Sequence, residues 1–124
     1  MYDDDRNLTP DQAVELVERL RMDHATTTQI LFAVEADTGV SVSEMFDNRI
    51  SRNYRVAYGR AVACGCMRDI GGGRRSFPDI AREALRRQFH SGAWSAYQRW
   101  LALPDREQIL DRVRARIRGG DGVG

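Results

Sequence analysis

Apolar residues recur along this chain at the three- and four-residue spacing of amphipathic helices, and short polar or glycine-rich breaks separate the stripes. Thr9-Pro10-Asp11-Gln12 reads as a helix start, with Thr9 as N-cap, Pro10 at the first helical position and Gln12 completing a capping box. Ala13, Leu16, Val17 and Leu20 then form one apolar stripe to about Met22 beneath an acidic outer face. A second helix starts around Thr26 to Thr28, carries Ile30, Leu31, Ala33 and Val34, and ends at Gly39, a residue suited to a left-handed C-terminal cap. Ser41-Val42-Ser43-Glu44 is another capping box and opens a short helix that turns Met45 and Phe46 inward.

After a polar loop over 47–52, a long helix is predicted from about Asn53 to Ile70, with Val56, Ala57, Ala61, Cys64 and Met67 on its packing side. Its many small residues predict close approach of neighbouring helices. Gly71-Gly72-Gly73 stops it. Ser76-Phe77-Pro78-Asp79 caps a short helix to about Ala84, a break follows near Arg86 to Phe89, and a further helix runs from about His90 to Leu101. Ala93, Trp94, Tyr97 and Trp100 form the apolar stripe of that helix, so both tryptophans are expected in the core. Pro104 ends the segment, and Asp105 to Arg118 forms a last helix with Leu110, Val113 and Ile117 inward and Arg112, Arg114, Arg116 and Arg118 mostly outward. Gly119 to Gly124 is expected to be a mobile tail. With no strand-like alternation and no internal repeat, the expected fold is all-α.

A length of 124 residues, 42% of them hydrophobic, suits one domain with one core. No window approaches the roughly 20 apolar residues of a membrane span. Met1-Tyr2-Asp3-Asp4-Asp5 is acidic where a signal peptide is basic and then apolar, so a cytoplasmic location is expected. Cys64 and Cys66 stand two apart on a helix, where side chains diverge, and read as small buried apolar residues rather than a disulfide or chelating pair. With only His24 and His90 besides, no metal or cofactor is expected.

The formal net charge of +1 conceals an asymmetry. Residues 1–47 hold three basic and eleven acidic side chains, a balance of −8, whereas residues 48–124 hold sixteen basic and seven acidic, a balance of +9. The second part therefore suggests an anionic partner. All nineteen basic residues are Arg; the absence of Lys is compatible with a GC-rich genome and carries little weight.

A short helix, a tight break and a longer helix that starts with polar residues is the layout of a helix-turn-helix, whose second helix enters the major groove of DNA. Arg82, Arg86 and Arg87 crowd the break, where guanidinium groups and free backbone N–H groups meet phosphates together, and Ser76 is placed as a phosphate donor. Upstream, Arg49, Arg52 and Arg55 form a basic arm suited to an adjacent minor groove. On charge patterning alone, a solvated arginine surface accounts for them equally well.

The strings "VEADTGVSVSEMF", "NRISRNYRVAYGRAV", "SFPDIAREAL" and "FHSGAWSAYQRW" follow one another in the order and spacing of a known family. From about Thr28 to Trp100 the chain resembles the DNA-binding C-terminal domain of the DnaA replication initiators. Ser76, Phe77, Pro78, Asp79 and Ile80 match the family's start of the first motif helix, and 89–96 takes the place of its Asp-His-[Ser/Thr]-[Thr/Ser]-Val-x-x-Ala signature. The resemblance implies a compact helical bundle containing a helix-turn-helix, of the DnaA domain IV or Trp-repressor type. It also implies a minor-groove role for Arg52, a contact role for Arg60 in the following helix, and a backbone contact at Pro78. His90 and Ser91 correspond to the residues that touch bases in the major groove, and Arg99 to a basic position late in that helix.

The departures fall on the base-reading positions. Phe89 stands where the family has Asp, which removes a carboxylate contact to cytosine; Gln88 replaces Arg, Gly92 replaces Ser/Thr, and the segment between the two helices is one residue longer. The resemblance thus implies duplex binding without the initiator's own preferred site. Phe89 either packs into the core or contacts thymine methyls.

The chain carries no G-x-x-x-x-G-K-[S/T] loop, so no nucleotide is expected as ligand, and no Ser/His/Asp or Cys/His set indicates an enzyme. The expected organisation is an acidic helical extension (1–27), a DnaA-like DNA-binding region (28–101), an Arg-rich C-terminal helix (102–118) and a tail (119–124). The expected function is sequence-specific double-stranded DNA binding in transcription regulation or DNA replication control. The alternative is a protein-interaction adaptor that keeps the fold with a decayed DNA surface, its acidic N-terminal helix binding the partner. That first helix either completes the core or faces a partner; the last covers the bundle, adds phosphate contacts or supports dimerisation.

Overall fold

The computed structural model describes residues 9–14, 25–47, 53–70, 75–85 and 91–119, within which every regular element is an α-helix. In chain order these are α1 (Thr27–Thr38), α2 (Val42–Phe46), α3 (Tyr54–Ile70), α4 (Phe77–Ala84), α5 (Ser91–Leu101) and α6 (Arg106–Arg118). Residues 10–14 are helical as well, behind a reciprocal cap in which Thr9 N–H donates to Gln12 Oε1 (2.9 Å) and Gln12 N–H to Thr9 Oγ1 (3.2 Å). The remainder of the predicted first helix, the Gly71-Gly72-Gly73 stop and most of the C-terminal tail lie outside the described residues.

Local chemistry explains where the helices begin and end. Thr26 and Ser41 each cap their helix reciprocally, with Gln29 and Glu44 as third-position partners, and Ser76 caps α4 by accepting from the Asp79 N–H. Gly39 ends α1 at φ 76°, a left-handed conformation that costs glycine nothing, and its N–H donates to Glu35 O.

α3 is the hub. It packs against α1, α2, α4, α5 and α6, and its residues from Gly59 to Met67 are all buried. The periodicity predicts one packing side; burial extends to Val62, Ala63 and Cys66 because neighbours surround the helix. Both cysteines are free and buried, and burial pushes the Cys66 thiol well up.

Small residues on α3 set how close those neighbours come. A Cβ at Gly59 would stand 2.8 Å from Val40 Cβ, and one at Gly65 would stand 2.1 Å from Trp100 Cδ2, inside the indole. Trp100 is completely buried on this glycine. Its Nε1–H donates to Asp69 Oδ2 (2.8 Å), and the Tyr97 hydroxyl donates to Asp69 Oδ1 (2.7 Å), so one carboxylate at the end of α3 holds two aromatic side chains of α5. Burial, followed by the hydrogen bond to Asp69, pushes the Tyr97 phenol up to about 12. Tyr97 also meets Phe77 of α4 edge-on, with centroids 5.5 Å apart, and the Arg68 guanidinium covers the Phe77 ring at 4.6 Å.

Trp94 corrects an expectation. It shares a helical stripe with Tyr97, yet it is 51% exposed. The seam of α5 runs through Ala93, Ala96 and Trp100, and at about 100° per residue Trp94 is rotated off that line. Two alanines let α5 settle onto α3; an indole at the same depth has no room.

The last helix closes the bundle. Ile109, Leu110, Val113 and Ile117 of α6 are buried, and α6 packs on α1. Asp37 of α1, only 5% exposed at its side chain, accepts from Arg112 Nε at 2.8 Å and Nη2 at 3.2 Å.

Replacing Gly65 tests the close approach. Gly65→Ala forces a methyl into the Trp100 ring and is expected to lower unfolding stability by about 1–3 kcal/mol or more, the range for overpacked cores. Urea denaturation followed by Trp100 fluorescence in a Trp94→Phe background measures it; unchanged stability would refute the contact.

Candidate nucleic-acid interface

α4 and α5 pack on each other, and both rest on α3. On α4, Pro78 and Arg82 are exposed while Ile80, Ala81 and Ala84 are buried. Pro78 occupies the first turn, where its missing N–H is no loss. Ser76 is exposed, with its hydroxyl accepting from Asp79 N–H at 3.2 Å. Arg82 pairs with Asp79 one turn back, and the bond from Ser76, ahead of the nearby Arg82 charge, holds the Asp79 carboxyl below its usual range.

The outward side of α5 is continuous. Trp94, Ser95, Gln98 and Arg99 are exposed along it, opposite the buried line of Ala93, Ala96 and Trp100. At helical spacing Trp94 and Arg99 flank this face on opposite edges, with Ser95 and Gln98 between them. A ring, two neutral hydrogen-bonding groups and a guanidinium are thus displayed along one helix face.

Arg55 and Arg60 are committed to internal contacts. Arg55, in the first turn of α3, donates Nη1 to Glu44 Oε2 (2.6 Å) and Nη2 to Glu44 Oε1 (3.0 Å), while Nη2 also reaches Gly39 O (2.8 Å). This fork ties α3 to α2 and to the end of α1. Arg60 is 8% exposed and donates from Nε to Met45 O (3.0 Å) and from Nη2 to Asp47 O (2.6 Å). Its guanidinium secures the carbonyls at the end of α2.

Of the remaining candidates, Arg49, Arg52, Arg86, Arg87, Gln88 and His90 lie outside the described residues, as does the side chain of Ser91, which opens α5. Ser76, Pro78 and Arg99 are exposed on the α4–α5 side; Arg55 and Arg60 serve the α2–α3 junction. The exposed Trp94, Ser95 and Gln98 were missed among the site candidates, although the 94-95-98-99 spacing on α5 contains the signal.

Among the described residues, no group of three or more His, Cys, Asp or Glu side chains is arranged to hold a metal ion, and no helix is long and apolar enough to cross a membrane.

The Arg55 fork gives a pH test. The Arg55 hydrogen bond, with support from the Ser41 cap, lowers the Glu44 carboxyl from 4.5 to about 2. A carboxyl depressed in the folded state contributes stability that is present above its unfolded value and is lost as pH falls toward the folded one. Thermal midpoints of the wild type are therefore expected to fall between about pH 4.5 and about 2 more steeply than those of Glu44→Gln. Equal slopes for the two proteins would show that the pair carries no linkage.

No protein-family model, curated protein or solved structure matches the chain.

Proposed function

We propose that the chain is a double-stranded DNA-binding regulator of transcription or replication, with α4 and α5 as a helix-turn-helix and α5 as the helix that enters the major groove. The observation that carries this reading is the outward face of α5, where Ser95, Gln98 and Arg99 offer hydrogen-bonding groups at one helix surface beside the capped α4. A helix of this length fits the major groove, amide and guanidinium groups pair with base edges, and Trp94 is positioned on the same side to meet thymine methyls. The +9 balance of residues 48–124 adds attraction to phosphate. The resemblance to the DnaA reader supplies Arg52 as a minor-groove contact and His90 and Ser91 at the start of the recognition helix.

Committed side chains narrow the interface. Arg55 and Arg60 already have Glu44 and two carbonyl groups as partners, so in this reading they brace the arm while Arg49 and Arg52 carry its contacts. The exposed indole of Trp94 favours one second reading, a protein-binding face on α5, because exposed tryptophans anchor protein interfaces.

Selection from a random duplex pool separates the two. A DNA reader enriches a defined site, and the logarithm of its affinity falls with the logarithm of salt by about 0.9 per phosphate contacted. Arg52→Ala is expected to weaken that site by about 1–3 kcal/mol, and Gln98→Ala to relax preference at particular base pairs. No enrichment of any duplex, together with a stoichiometric protein partner lost in Trp94→Ala, would replace this reading with the adaptor.

A further inference from the structure

Next to the outward face of α5, the bundle leaves a groove of about 590 Å³ between the start of α3 and the end of α5. Tyr54, Ala57, Tyr58 and Ala61 line its α3 side, and Arg99 and Leu103 face them. The volume falls within the roughly 300–1,000 Å³ range of small-molecule sites. Tyr54 is 94% exposed and Tyr58 38% exposed, so two large rings remain uncovered at its mouth. Arg99 and Ala57 also border a second hollow of about 300 Å³, so Arg99 stands between the two spaces.

The polar groups in this groove are mainly donors. Asn53 Oδ1 already accepts from the N–H groups of Arg55 (3.0 Å) and Val56 (3.3 Å), which leaves its amide nitrogen to donate. Tyr54 and Tyr58 add two hydroxyls. None of the described lining residues is acidic. Among the described residues no carboxylate lies within ion-pair distance of Arg99, in contrast to Arg55, Arg82 and Arg112. A cation without a counter-ion at the edge of an apolar hollow is complementary to an anion that brings its own apolar body.

We propose that this groove binds a small amphipathic carboxylate, with its apolar body on Ala57, Ala61 and Leu103 between the tyrosine rings and its carboxylate on the Arg99 guanidinium. A guanidinium and a carboxylate meet through two parallel hydrogen bonds, which fixes the acid's direction in the groove. The Trp100 packing on Gly65 sets the distance between the two helices that carry Ala57, Ala61 and Arg99. Binding requires no DNA, and the inference stands whether or not α5 reads a duplex.

The probe is 2-naphthoate, a flat bicyclic acid, compared with 2-naphthalenemethanol, a neutral molecule of similar shape. Isothermal titration of the full chain is expected to give one site for the acid and weaker binding of the alcohol. Amide chemical-shift changes are expected at Ala57, Ala61 and Leu103. Arg99→Gln, at an exposed position, should weaken 2-naphthoate by about tenfold, the lower range for a charge-assisted bond, and leave the alcohol unchanged. Ala57→Leu fills the floor and should remove both, with an unaltered circular dichroism spectrum confirming the fold. The proposal is overturned if the acid fails to bind at its solubility limit, if the acid and the alcohol bind equally, if Arg99→Gln binds the acid as the wild type does, or if the shifted amides lie elsewhere.

Discussion

The contact between Trp100 and Gly65 is the constraint on which the arrangement depends. A fully buried indole lies where α3 has no side chain, and a methyl at that point would fall within the ring. Close packing of this kind fixes both the separation of α3 and α5 and their rotation, because a shift of either helix would press the ring against a larger neighbour. Asp69 strengthens the constraint by accepting from the indole and the Tyr97 hydroxyl together. A buried ring held at both its face and its N–H has one orientation, and α5 inherits it.

That rotation decides what α5 displays. With Ala93, Ala96 and Trp100 turned inward, Trp94, Ser95, Gln98 and Arg99 must turn outward. The same packing leaves the groove beside Arg99, since Ala57 and Ala61 face that side of α3 with little volume. The displayed face and the groove are thus two consequences of one seam. Reorienting α5 to bury Trp94 would turn Trp100 off the α3 seam and break the Asp69 contacts, so the exposed indole is a necessary result of burying the other.

The helix boundaries were legible because they rest on local chemistry. Thr9, Ser41 and Ser76 cap where their hydroxyls and third-position partners say they should, and Gly39 takes the left-handed conformation. Close helix approach was also readable from the small residues of α3. What periodicity leaves open is the angle of a stripe: Trp94 and Trp100 both lie within a broad apolar arc, and only the depth allowed by Ala93 and Ala96 separates them. The candidate site was partly legible for a different reason. Exposed Arg99, Ser76 and Pro78 follow from helix phase and capping, whereas the partners of Arg55 and Arg60 are distant in sequence and form only when α2 folds back onto α3.

Counting arginines overstates the number of hands available to an anion but not the field that attracts it. Arg55, Arg82 and Arg112 are paired with carboxylates, which cancels their charge locally. Arg68, Arg75 and Arg106 instead donate to backbone carbonyls, which are neutral, so these bonds leave their positive charge uncancelled. Such residues have fewer donors left for a phosphate, yet they contribute to the potential felt beyond the surface. The basic half of the chain therefore divides its arginines between two tasks. Those bonded to carbonyls brace the fold and add to the long-range field, whereas Arg99 is exposed on the α5 face. For the anionic partner proposed above, the first group would supply attraction and the second direct contact, although the formal net charge of the whole chain is only +1.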